Sequence, residues 1–174
     1  MYPAPRPRLP LPEPAKRLLY RVCLSSAFVR VAPPLMARLD KALNAASRGR
    51  FTLTGMLLPT TVLTTTGCRS GRPRSTPALC LPEPGGFLVF GGNYGKPNHP
   101  QWTGNLLTLP QAQVEHAGRR LWVQASLLTG QDRAEVWPSL VRAWPPLTAI
   151  QRAAGREVRV FRLAVVEAAP ADKN

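Results

Sequence analysis

V-L-T-T-T-G-C-R-S-G-R-P-R-S-T-P, residues 62–77, passes from a β-branched run into an arginine-rich loop and returns to apolar sequence at Ala78-Leu79-Cys80-Leu81. Val62 to Thr66 favours a strand, because branching at Cβ suits an extended, pleated backbone. Gly67 ends that run. Gly67 and Gly71 let backbone N–H groups converge, while Arg69, Arg72 and Arg74 add planar, permanently charged donors. A phosphate or a group of carboxylates suits such a cup: Ser70 and the amides around Gly71 would take oxygens, and Arg69 and Arg74 would clamp the same group. T-G-x-x-G also occurs in plain hairpins, so spacing alone leaves open a solvated basic turn over Gly67–Pro77.

Working outward, Phe51–Leu57, Thr61–Thr66, Thr76–Leu81 and Phe87–Phe90 read as strands, the last two joined by Pro82-Glu83-Pro84-Gly85-Gly86. Gln113–Glu115 and Arg120–Leu128 read as a hairpin through His116-Ala117-Gly118, and Val158–Val166 as a final strand. A helix is expected to open near Asn98-His99-Pro100, capped by Asn98, with Trp102, Leu106 and Leu109 on one face. Thr129 with Asp132 resembles a capping box for a helix that runs through Arg142, bends at Pro138 and stops at Pro145-Pro146. A second short helix ends at Gly155. Six to seven strands with inserted helices predict an α+β, mainly β fold whose sheet closes, wholly or partly, into a small barrel. The expected divisions are a Pro-rich disordered tail over 1–15, a basic helical extension over 16–48, the barrel domain over 51–168 and a tail over 169–174.

The formal charge of +14 implies an anionic partner, whether nucleic acid, a membrane surface or a phosphorylated ligand. Residues 1–50 hold ten Lys/Arg against Glu13 and Asp40, so that segment could lie on an anionic membrane. Cys23, Cys68 and Cys80 lack C-x-x-C spacing, which argues against a disulfide framework or a zinc site. No apolar run is long enough to span a bilayer, and no convincing signal peptide is present. A cytoplasmic chain is expected, with peripheral contact at the inner face of the plasma membrane an open possibility.

A second constellation is G-G-N-Y-G-K-P-N-H-P-Q-W-T-G-N, residues 91–105. Backbone without side chains at Gly91-Gly92 would admit a flat ring, on which Trp102 could stack while Asn105 bonds its edge. Taken alone, Trp102 reads better as core. His99 and His116 have no carboxylate partner in sequence, so neither a metal site nor a Ser-His-Asp triad is expected.

The ordered blocks T-T-T-G-C-R-S-G-R-P-R-S-T-P (64–77), G-N-Y-G-K-P-N-H-P-Q-W-T-G-N-L (92–106) and V-W-P-S-L-V-R-A-W-P-P (136–146) resemble the deazaflavin-dependent nitroreductase family. The resemblance covers roughly residues 51–166. It implies a split β-barrel of the FMN-binding-like kind that holds coenzyme F-420 (8-hydroxy-5-deazaflavin), with FMN as second choice. It further implies hydride transfer from the reduced coenzyme to a small lipophilic acceptor: a quinone, an activated alkene or a nitro compound. By position Cys68, Arg69, Ser70, Gly71, Arg72 and Arg74 would hold the coenzyme's phosphate and acidic tail. Pro77, Gly92, Asn93, Tyr94 and Asn105 would border the ring. Leu79, Trp102, Trp144, Leu147 and Ile150 would face the substrate. Tyr94 is a possible proton donor, and no other catalytic side chain is implied. Cys68 stands where relatives carry a basic residue, and Trp144, Leu147 and Ile150 stand where the best-known member presents tyrosines. The chain would be a monomer or homodimer. The competing reading is a passive flavin, haem or lipophilic-ligand binding protein on the same barrel; a nucleic-acid module ranks last, because no basic-aromatic platform is visible.

Overall fold

The computed structural model describes residues 60–116 and 118–166. Six strands are present there: β1 (Thr60–Thr66), β2 (Pro73–Glu83), β3 (Gly86–Phe90), β4 (Gln111–His116), β5 (Arg119–Leu128) and β6 (Val160–Val166). They close into an antiparallel barrel in the order β1-β2-β3-β6-β5-β4. Three helices are inserted: α1 (Gln101–Thr108), α2 (Gly130–Ala143) and α3 (Leu147–Ala154). The expected mainly β split barrel is therefore the observed fold. The Phe51–Leu57 strand, the 16–48 extension and both expected tails lie outside the described residues.

Alternation of side chains builds two apolar layers. Inward-pointing Leu63, Ala78, Cys80, Phe87, Val89, Val114, Val123, Phe161 and Leu163 fill the barrel, and Trp102 and Leu106 of α1 join them. Outward-pointing Leu88, Phe90 and Val160 pack with Leu140 and Leu147 of the other two helices, flanked by Leu79, Leu81 and Trp144. β3 is consequently buried on both faces, as its unbroken apolar run G-F-L-V-F requires. α2 and α3 thus lie against the outside of β2, β3 and β6, while α1 packs into the interior.

Helix starts depart from the sequence reading. α1 begins after Pro100, which is extended, and makes no side-chain cap bond. Asn98 does not cap it, because the helix opens at Gln101 with Pro100 at the cap position; the Asn98 carbonyl instead accepts bonds from the Asn93 carboxamide and from Arg156. Thr129 does occupy the cap of α2, but its hydroxyl makes no cap bond. Gly155, with φ of 62°, ends α3 in the left-handed conformation expected of it.

Candidate functional site

The loop between β1 and β2 is Gly67–Arg72, shorter than the sequence suggested. Pro73 to Pro77 are instead paired with β1, in register from Thr66↔Pro73 to Val62↔Pro77. Two prolines are tolerated there because β3 pairs only with Cys80–Glu83, so that among the described residues the other edge of this half of β2 has no strand. The loop closes on its own backbone. Gly67 N–H donates to the Arg72 carbonyl at 2.9 Å, and the Gly67 carbonyl accepts from Ser70 and Gly71 at 3.1 and 2.8 Å. Gly71 sits at φ of 62°, which favours glycine. With those amides turned inward, the loop presents outward the Cys68 thiol and the guanidinium groups of Arg69 and Arg72, while the Ser70 hydroxyl folds back over Gly67 and accepts from the Arg72 amide at 3.4 Å.

Register decides where Arg74 goes. It pairs with Thr65, so it shares the inward face with Thr76 and Ala78, one step beyond the barrel interior. Its stem lies over Gly67, where a Cβ would be 3.6 Å from Arg74 Cγ. Among the described residues Arg69, Arg72 and Arg74 are exposed and none has a carboxylate partner. Such a donor set fits a phosphate or carboxylate-bearing group, because three fixed charges crowd one rim with no internal counter-ion. Leu79 projects from the opposite, outward face of β2 toward the helices, and Pro77 shares that face but is exposed.

The second block forms the far side. Asn93, Tyr94 and Gly95 have φ of 47°, 54° and 76°, a consecutive left-handed run. Non-glycine residues in that region cost about 1–3 kcal/mol each and persist where surroundings over-determine them. Here the surroundings are Arg156, which donates to the carbonyls of Lys96, Pro97 and Asn98, and the Asn93 carboxamide, which donates to Asn98. Sequence reading missed Arg156, because nothing local marks an arginine whose acceptors lie about sixty residues upstream. The space at Gly91 is filled by the chain itself: a Cβ there would meet Thr103 Cγ2 at 2.7 Å. Gly92 faces Ile150, whose Cγ2 would lie 3.0 Å from a Cβ.

The predicted substrate residues separate into groups. Leu79, Trp144 and Leu147 belong together to the cluster between barrel and helices, although Leu147 is fully buried. Ile150 stands beside Gly92. Trp102 lies apart in the barrel core, its ring 5.8 Å from that of Phe161. Asn105 is buried and turned inward: its Oδ1 accepts from the Cys68 amide at 3.1 Å, and its Nδ2 donates to Thr65 Oγ1 at 2.9 Å. The structure thus brings the arginine loop, Asn105 and the Gly92–Tyr94 turn into one connected frame.

Among the described residues no group of His, Cys, Asp and Glu could hold a metal ion, and no helix is long and apolar enough to cross a membrane. Burial lowers the pKa of His99, and the nearby Arg156 and Arg159 lower it further; burial also lowers that of His116. Both imidazoles are therefore harder to protonate folded than unfolded. The unfolded chain binds more protons as pH falls below about 6.5, so stability present above that value is lost on acidification. Thermal melts between pH 7.5 and 5 should show a falling midpoint, and His116→Gln should flatten the fall. A midpoint independent of pH in that window contradicts this.

Comparison with known proteins places these features in a group. Residues 36–165 match the model of the F420H2-dependent quinone reductase family. Rv3178 of Mycobacterium tuberculosis (strain ATCC 25618 / H37Rv), provisionally named as such a reductase, is 26% identical over 106 residues, covering 61% of this chain and 89% of Rv3178. A solved F420-H2 dependent reductase (FDR-A) is similar at a TM-score of 0.56 and 31% identity, over 60% of this chain and 93% of that one. A further solved chain, described as a domain-swapped dimer, matches at TM-score 0.56 and 28% identity, over 74% and 96% of the two chains.

Proposed function

Because this chain belongs to the F420H2-dependent quinone reductase family and is an oxidoreductase that uses coenzyme F-420, we propose that its acceptor is a flat, lipophilic quinone, held between the outer face of β2 and α3. The observation that carries this reading is the pairing of two features: Arg69, Arg72 and Arg74 are exposed with no carboxylate partner among the described residues, and Leu79 and Trp144 share the apolar layer between barrel and helices, with Ile150 beside Gly92. When bound in its reduced form, the coenzyme supplies a hydride. Arg69, Arg72, Arg74 and the Ser70 hydroxyl grip its anionic tail, with the exposed Arg72 making up for the uncharged Cys68. Pro77 and the Gly92–Asn93 backbone border its ring. Trp144 and Ile150 exclude water from the acceptor's side, since neither offers a hydroxyl and a half-buried indole covers much apolar surface. Tyr94, 50% exposed on its left-handed turn, holds a phenolic proton at Oη for the reduced acceptor.

The apolar lining favours quinones over nitro compounds and enones, whose reduction gains more from hydroxyl donors placed near the developing charge. The test is a titration with the coenzyme followed by turnover assays with a simple quinone, an enone and a nitroaromatic. Binding in the micromolar range or tighter, with quinone turnover fastest, is the expected result. Absence of binding removes the reading. Binding without turnover of any acceptor leaves a passive carrier instead.

A further inference from the structure

We propose that Asn105 is a positioning residue for the coenzyme's tail: its carboxamide fastens the arginine loop to α1 and β1 and so fixes where Arg69 and Arg72 present their charges. The proposal rests on the coenzyme reading above. Asn105 is 6% exposed, and each end of its carboxamide is engaged. Oδ1 accepts from the Cys68 amide and Nδ2 donates to Thr65 Oγ1, on a threonine that is 1% exposed. Among the described residues, the Cys68–Asn105 bond is the sole hydrogen bond from the Gly67–Arg72 loop to anything beyond itself and its two strands. A loop closed on its own backbone can still pivot about its strand ends. This bond stops the pivot one residue before Arg69.

α1 is in turn a firm anchor. Thr103, fully buried and two residues before Asn105, packs its methyl against Gly91 and accepts a bond from Arg159 at 3.2 Å. The same helix therefore seats on the strand end that leads into Gly92–Tyr94 and holds the arginine loop. Ring border and tail grip share one strut. With its carboxamide turned inward, Asn105 acts on the coenzyme through the loop rather than by reading the ring edge.

The experiment compares two ligands on the full chain by ring fluorescence: coenzyme F-420, and the deazaflavin chromophore that keeps the ring and ribityl chain but lacks phosphate and carboxylates. Asn105→Ala orphans the Cys68 amide and the Thr65 hydroxyl. It should weaken F-420 binding about ten-fold while changing the tail-less ligand less than about two-fold. Added to Arg69→Ala/Arg72→Ala, it should cost little further, because the loop charges it positions are gone. Thr65→Val, near-isosteric and removing one of the two bonds, should reproduce the tail-selective loss at about three-fold, and it carries the test if Asn105→Ala does not fold. Equal loss of both ligands, or unchanged F-420 affinity, overturns the positioning role. Wild-type protein that binds neither ligand overturns the coenzyme reading itself, a result distinct from both.

Discussion

Gly86→Ala should destabilise the fold by on the order of 4 kcal/mol and lower the melting midpoint by roughly 10–15 °C. Gly86 opens β3, paired with Glu83 on one side and Ala164 on the other. An added Cβ would lie 1.9 Å from the Leu163 carbonyl oxygen, 3.0 Å from its carbon and 3.2 Å from Ala164 Cα. All three atoms are backbone, so no rotamer change relieves the clash. β3 and β6 must separate, which breaks the ladder there and strains the 2.9 Å bond from Val165 N–H to the Gly85 carbonyl. That seam also joins the two apolar layers, since Phe87 faces inward and Leu88 outward. Gly104→Ala is the control. It lies within α1 with nothing within 4 Å of the added methyl, and should stabilise by about 0.5–1 kcal/mol through lost backbone entropy in the unfolded chain. Equal melting of Gly86→Ala and wild type would mean that the strands do not approach so closely.

The barrel was legible because its strands announce themselves locally. Thr61–Thr66 is β-branched, and Phe87–Phe90 is apolar on both faces. Prolines misled at one end of the reading and not at the other. Pro73 suggested loop, yet it sits with Pro77 in β2 where, among the described residues, one edge has no partner, a condition set by where β3 stops rather than by the residues themselves. Pro138 lies within α2, which runs on to Ala143, one residue past the expected Arg142. The site was legible as a list of residues and less so as an arrangement. Arg74 and Pro77, three apart, project from opposite faces of one strand. Asn105 finds its partners 37 and 40 positions away, and Arg156 finds acceptors still further upstream. No periodicity encodes such pairings, because they follow from barrel closure. Trp102 shows the same limit: an aromatic next to a glycine-rich loop suits either stacking or core, and only the seating of α1 decides where its ring lies.

Arg69→Ala/Arg74→Ala should weaken coenzyme binding about a hundred-fold while leaving the fold intact. Each arginine can make charge-assisted, fork-shaped bonds to phosphate or carboxylate oxygens, and on an exposed rim each is worth about ten-fold in affinity. The two approach from different elements, Arg69 from the loop and Arg74 from β2, so their losses should add to a first approximation. Neither has a carboxylate partner among the described residues, so their removal orphans no charge. Thermal midpoints should therefore agree with wild type within a few degrees, which separates this outcome from misfolding. Wild-type affinity should fall as salt is raised, and the double variant should show a shallower slope, because fewer charges are screened. Lysine at both positions should restore the salt slope but only part of the affinity, since an ammonium keeps the charge and loses the bidentate fork. The tail-less chromophore should bind wild type and double variant alike. Unchanged affinity for the whole coenzyme would make Gly67–Arg72 a solvated basic turn and move the anion grip away from this rim.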